Sequence, residues 1–146
     1  MTLKPVIAIA SDHAGVAMKA SAKEMLGEFT PSVIDLGTQG EDSVDYPDFA
    51  DAVAKEVLAG RVQFGILICG SGVGMSIAAN RHKGIRAALC NDGLTASLSR
   101  RHNNANVLCL GARLIGIEAV RDCITQFITT AFEGGRHQKR LAKMDQ

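Results

Sequence analysis

Short apolar runs alternate with amphipathic stretches from one end of the chain to the other. The runs are rich in Val, Ile, Leu and Ala with little polar alternation, the pattern of parallel strands covered on both faces. They predict strands over Val6–Ala10, Val33–Leu36, Phe64–Cys69, Ile85–Cys90 and Val107–Leu110. Helical spacing predicts helices over Val16–Glu28, Asp48–Ala59, Val73–Asn80, Gly93–Arg101 and Gly116–Phe132. In the second of these, Phe49, Val53 and Val57 recur at helical intervals, with Pro47 just before them and Gly60 at the close.

Strands separated by helices in this way predict an α/β chain. The expected architecture is a three-layer α/β/α, Rossmann-like fold around a five-stranded parallel sheet. No repeat, low-complexity segment or Pro/Ser-rich linker divides residues 1–146, so they read as one domain of ordinary size. Residues 134–146 form a basic tail after the Gly134-Gly135 break. Ligands of such folds bind beyond the carboxyl ends of the strands, near the point where strand order reverses. Asp12-His13, Cys69-Gly70 and Asn91-Asp92 stand at such positions, after the first, third and fourth strands.

The third strand ends at Cys69 and runs directly into Gly70-Ser71-Gly72-Val73-Gly74 and a helix. A glycine turn at a helix N-terminus exposes backbone N–H groups, which stabilise a phosphate or a developing oxyanion. The same positive end favours negative charge on the Cys69 sulfur when the side chain points into the turn. A thiol base or nucleophile beside an anion hole is the layout of an active site. The plainer alternative is a buried strand-end thiol, which is how Cys90 and Cys109 read, with Cys123 on the last helix. Position 75 separates other chemistries. A phosphatase-type C-x5-R loop requires arginine there, and a dinucleotide fingerprint with Asp92 on the ribose requires glycine, but the residue is Met75.

Charge and composition narrow the partners. A formal net charge of +1, a single Tyr and no Trp give no support for nucleic-acid or membrane binding. The apolar runs are too short to span a bilayer. Four cysteines without a C-x-x-C pair or zinc-site spacing fit reduced thiols in the cytoplasm, with no metal expected.

Three further clusters leave alternatives open. Asp12 is either a simple N-cap or a polar group facing a ligand. The segment Arg100-Arg101-His102-Asn103-Asn104-Ala105-Asn106 reads as a polar connection to the last strand, yet a histidine there can relay a proton near neutrality. Arg136 and Arg140, four apart, are either a frayed basic terminus or, if helical, a two-arginine phosphate clamp.

Together these segments resemble the ribose-5-phosphate isomerase B family, which includes allose- and galactose-6-phosphate isomerases. The resemblance rests on Ser11-Asp12-His13-Ala14-Gly15, Asp45-Tyr46-Pro47, the turn from Ile68 to Gly74, and Ile77-Ala78-Ala79-Asn80. It continues through Gly84-Ile85-Arg86-Ala87, His102-Asn103-Asn104-Ala105-Asn106, Gly111-Ala112-Arg113 and Glu133-Gly134-Gly135-Arg136-His137. What it implies is an aldose–ketose isomerase without metal or cofactor, interconverting ribose 5-phosphate and ribulose 5-phosphate in the pentose phosphate pathway. Cys69 would be the carbon-acid base, with Gly70, Ser71, Gly72, Val73 and Gly74 at the enediolate. His102 would open the sugar ring, helped by Asp12, while Asn103 would hold hydroxyls. His13, Arg113, Arg136 and Arg140 would bind phosphate.

Some family members use a glutamate further along the turn; Met75 with Cys69 places this chain with the cysteine type. The whole set on one chain fits a homodimer with shared active sites, paired in some members into tetramers. The rivals to this expectation are the same chemistry on a four- or six-carbon sugar phosphate, and a non-catalytic α/β module holding a nucleotide in the turn.

Overall fold

The computed structural model describes residues 4–146; residues 1–3 of the expected 1–146 unit lie outside them. Five parallel strands are present: β1 (Ile7–Ser11), β2 (Val33–Asp35), β3 (Phe64–Cys69), β4 (Ala87–Leu89) and β5 (Val107–Gly111). Six helices accompany them: α1 (Val16–Leu26), α2 (Tyr46–Leu58), α3 (Val73–Asn80), α4 (Gly93–Asn103), α5 (Ile117–Thr129) and α6 (Gln138–Met144). Single 3-10 turns precede α1, at His13–Gly15, and α6, at Gly135–His137. The strand order is β2-β1-β3-β5-β4. The chain thus winds outward from β1 to β2, then starts again on the other side of β1, which makes the β1/β3 crevice a switch point.

The two faces of the sheet bury different sizes of side chain. Ile7, Ile9, Ile66, Ile68, Leu108 and Leu110 point to one core with α1 and α5. Ala8, Ala10, Leu67, Cys69, Val107 and Cys109 point to the other, against α2 and α3. On that second face α2 contributes Ala50, Val53 and Ala54, so small residues meet small residues and the helix lies close. A Cβ on Gly65 would overlap Val53 outright. The α2/α3 face therefore has the least room for added volume.

Several element boundaries differ from those expected. β4 is shorter than Ile85–Cys90 because side-chain amides occupy its backbone. Asn80 exchanges two hydrogen bonds with Ala87, at 2.8 and 3.0 Å, and the Asn106 carbonyl accepts from the Arg86 N–H at 2.8 Å. α4 runs on to Asn103, stopping at Asn104, whose φ of 46° is a left-handed C-terminal cap. His102 and Asn103 therefore sit on a helix, not in a loop. α2 starts at Tyr46, with Pro47 inside its first turn. α5 ends at Thr129, earlier than Phe132, where Thr130 turns extended and its carbonyl accepts from the Arg100 guanidinium. The basic tail is helical in α6, with Arg86 reaching Asp145 beyond its end at 3.2 Å.

Beside the crevice, β2 ends on a buried ion pair. Lys19, 2% exposed, donates to the Asp35 carboxylate at 2.8 Å and to the Thr38 carbonyl at 2.6 Å. Burial alone would raise the Asp35 pKa, but hydrogen bonds from Lys19, the Gly37 N–H, Lys23 and Gln39 outweigh it. They hold the carboxyl well below the usual range. A carboxylate with a lowered folded-state pKa adds stability above its unfolded value, near 4, that disappears as pH falls. Asp35→Ala strands a buried ammonium, so it is expected to cost on the order of 3 kcal/mol at neutral pH. Urea unfolding at pH 7 and pH 3 checks this: the gap to wild type should narrow at the lower pH.

Candidate active site

β3 delivers Cys69 to the sheet's carboxyl edge and the chain then turns through residues 70–74. Gly72 caps α3 with φ 78°, a conformation in which an L side chain is strained, and a Cβ there would also strike Leu89 and Leu110. The turn folds back on the thiol: the Gly72 N–H donates to Cys69 Sγ at 3.2 Å. The Ser71 hydroxyl accepts from the Val73 N–H at 3.2 Å. The N–H groups of Gly70, Ser71 and Gly74 have no acceptor among the described residues, and all three residues line the crevice. This is the preorganised donor array expected at a helix N-terminus.

The crevice has a volume of about 550 Å³. Asp12 stands on one wall, 7% exposed. Its carboxylate accepts from the Ala14 N–H at 3.0 Å, so Asp12 is an N-cap and a crevice residue at once. Arg113 stands on the other side, its backbone N–H on the Gly70 carbonyl at 2.9 Å and its guanidinium over Gly70. His13 lies next to Asp12 but faces the loop before α2, where its Nδ1 accepts from the Val44 N–H at 3.1 Å. Tyr46, Ile77 and Leu114 complete the crevice. These three carried no expected role; the lone Tyr beside Pro47 was the one available signal. The Tyr46 ring lies so close over Gly74 that a Cβ there would overlap it.

The other cysteines have different surroundings. Burial pushes Cys90 up to about 12 and Cys123 up to about 11, and it raises Cys109 as well. All three are enclosed in the cores as thiols.

His102, Asn103, Arg136 and Arg140 are not in this crevice. α4 runs back against the strands, so its last turn lies at the opposite edge, where the Gly65 N–H meets the Asn106 carbonyl. The intervening strand length is roughly 20 Å. Asn103 lines a separate cavity of about 510 Å³ beside β4 and the end of α6. His102 stacks on His137 with ring centroids 4.6 Å apart and planes 21° from parallel. Glu133 stands beside both rings, its carboxylate 4.0 Å from His102 Nε2 and 3.6 Å from His137 Nε2. Arg136 and Arg140 adjoin the same cluster, joined by a bond from the Arg140 guanidinium to the Arg136 carbonyl at 3.0 Å. Burial and then the positive charges of Arg136, His102 and Arg140 hold His137 below its ordinary pKa, against the pull of Glu133.

His102, Glu133 and His137 bring three ligand-type atoms within 4.8 Å of one another. Arg101 stands 4.0 Å from the one carboxylate, Glu133, and Arg136 and Arg140 add positive charge beside the stacked rings. That charge balance suits an anion better than a divalent cation. Among the described residues no helix is long and apolar enough to cross a membrane.

Comparison with known proteins gives this arrangement its context. Residues 7–144 match the family model described as Ribose/Galactose Isomerase. Ribose-5-phosphate isomerase B of Escherichia coli (strain K12) is 45% identical over 135 residues, 92% of this chain and 91% of that protein. The crystal structure of ribose 5-phosphate isomerase RpiB from Thermotoga maritima is 50% identical, with a TM-score of 0.95 over 98% of this chain and 99% of that one. The type B enzyme of Trypanosoma brucei is 43% identical, with a TM-score of 0.95 over 98% of each chain. A thiol facing free amides, the sheet that carries it and this breadth of similarity agree: the chain belongs to the ribose/galactose isomerase family.

Proposed function

We propose that this isomerase interconverts ribose 5-phosphate and ribulose 5-phosphate in the cytoplasm, through an enediolate formed at Cys69. The observation that carries the reading is Cys69 Sγ held by the Gly72 N–H, beside unpartnered amides in an open crevice. The relatives named above as ribose-5-phosphate isomerases support the choice of substrate. In the forward direction His102 protonates the ring oxygen as its bond to C1 breaks, and the C1 hydroxyl proton leaves to solvent. Cys69 then takes the proton from C2, and the charge that develops on oxygen faces the amides of residues 70–74. The O2 hydroxyl passes its proton to O1 as the Cys69 thiol returns a proton to C1, which completes the ketose and restores the base. One preorganised donor at such an oxyanion is worth about 3–4 kcal/mol. No metal or cofactor is needed for these steps.

Asp12 and Asn103 hold sugar hydroxyls, with Ser71 near the reacting carbons. His13, Arg113, Arg136 and Arg140 hold the phosphate, so the tail from residue 134 completes the site of a single-domain unit. This requires two copies. Cys69 and His102 lie at opposite edges of one sheet, so the working site joins the crevice of one subunit to the His102 cluster of its partner. A homodimer then carries two such sites, related by its two-fold axis. Pairing of dimers into tetramers is compatible with this arrangement.

Cys69→Ala is expected to fold normally, as judged by circular dichroism, while turnover falls about 10²- to 10⁴-fold. Mixing refolded Cys69→Ala and His102→Ala subunits tests the shared site directly. Roughly a quarter of wild-type activity should return, because half of randomly formed dimers are hybrids with one complete site. No recovery would place both groups of residues in the same subunit. Comparison of kcat/KM for ribose, allose, galactose and erythrose phosphates should favour the pentose, and a six-carbon preference would overturn the substrate assignment. A thermal shift with NAD or AMP but none with sugar phosphates would support the nucleotide-binding alternative.

A further inference from the structure

Glu133 stands where the mechanism has so far assigned nothing. Its backbone N–H donates to the Arg101 carbonyl at 3.0 Å, which ties it to the turn of α4 that carries His102. The segment leading to it is pinned by the Arg100 guanidinium on the Thr130 carbonyl at 3.1 Å. One side-chain oxygen lies 3.6 Å from His137 Nε2 and 4.0 Å from His102 Nε2, while the other is 4.0 Å from the Arg101 guanidinium. No other carboxylate lies within ion-pair distance of either ring among the described residues. His137 is 8% exposed and its Nε2 has no hydrogen-bond partner, a deficit that a small movement of Glu133 would repair.

We propose that Glu133 is the positioning residue of the ring-opening half-site, the carboxylate against which the stacked imidazoles of His102 and His137 are oriented. The inference rests on the isomerase function proposed above. A carboxylate facing Nε2 of both rings favours Nε2–H on each and leaves His102 Nδ1 as the atom free to serve the substrate. Two stacked imidazoles share one negative charge, with Arg101 on α4, Arg136 before α6 and Arg140 on α6 all adding positive charge. That single carboxylate can balance one positive charge on the rings, not two. When His102 gives a proton to the ring oxygen, the Glu133 carboxylate keeps both rings aligned.

Glu133→Gln keeps the size of the side chain and removes its charge. Two readouts on the same dimeric preparation separate positioning from folding. Ribose 5-phosphate is cyclic in solution and needs ring opening. Ribulose 5-phosphate cannot close a furanose, because its O5 carries the phosphate, so exchange of its C1 hydrogen with solvent deuterium needs only the Cys69 site. The variant is expected to lose on the order of 10-fold in turnover of the aldose, less than loss of the general acid itself. Exchange should stay within about twofold of wild type. Removing the carboxylate disfavours the imidazolium, so the high-pH limb of aldose turnover should move to lower pH, and Glu133→Asp should restore part of the rate. Equal loss of both readouts would reduce Glu133 to a structural contact, and no change in either would remove it from the mechanism. In both of those cases, abolition of exchange by Cys69→Ala would leave the isomerase function standing.

Discussion

The approach of β5 to the turn after β3 is the constraint on which the catalytic end of this molecule depends. β5 keeps bonding after the regular ladder ends: the Ala112 N–H reaches the Cys69 carbonyl and the Arg113 N–H reaches the Gly70 carbonyl, each at 2.9 Å. The two segments come so close that a Cβ on Gly111 would lie 2.6 Å from the Ser71 carbonyl oxygen. The carbonyls of residues 69 and 70 are engaged on this side, while the amides of Gly70, Ser71 and Gly74 keep no acceptor among the described residues. Arg113 is carried to the same place by the bond its own backbone makes. One backbone contact thus sets a thiol, an anion hole and a cation in register.

How much of this could be read from the chain depended on where each residue gets its partners. β3 and α3 matched their expected limits because both are fixed locally, by an apolar run and by a glycine turn of unusual conformation. β4 did not, because Asn80 and Asn106 take over its backbone from distant positions, and side-chain capping leaves no periodic signal. The polar run after His102 hides the end of α4, so the sequence pattern places that residue in a connection. Asn104 in the left-handed cap position was the available clue. Asp12 and Cys69 are legible because strand ends are where chemistry sits in this fold, whereas the roles expected of Ser71 and Arg113 rest on the resemblance alone. Tyr46, Ile77 and Leu114 are not legible, since apolar residues at a site look the same as apolar residues in a core.

The two groups of polar residues also differ in electrical character. The crevice pairs one carboxylate, Asp12, with one guanidinium, Arg113, around a thiol and a set of amide dipoles, a balance that tolerates charge appearing and disappearing during reaction. The far cluster is dominated by guanidinium groups around a single carboxylate, a balance suited to holding a permanent dianion. Dividing the work between opposite ends of a sheet keeps these fields apart in the isolated chain.

The asparagines at β4 bear on how copies of this chain can meet. An edge strand with free backbone groups invites another strand, and sheets then extend from molecule to molecule. Here Asn80 covers both backbone groups of Ala87 on the outer edge, imitating the strand that would otherwise dock. Continuation of the sheet past β4 is therefore closed at its centre. Apolar surface is left instead on helix faces and at the rims of the crevice, where Val73, Ile77 and Leu114 are uncovered. One amide side chain far from the thiol thus takes the sheet edge out of reach of a further strand.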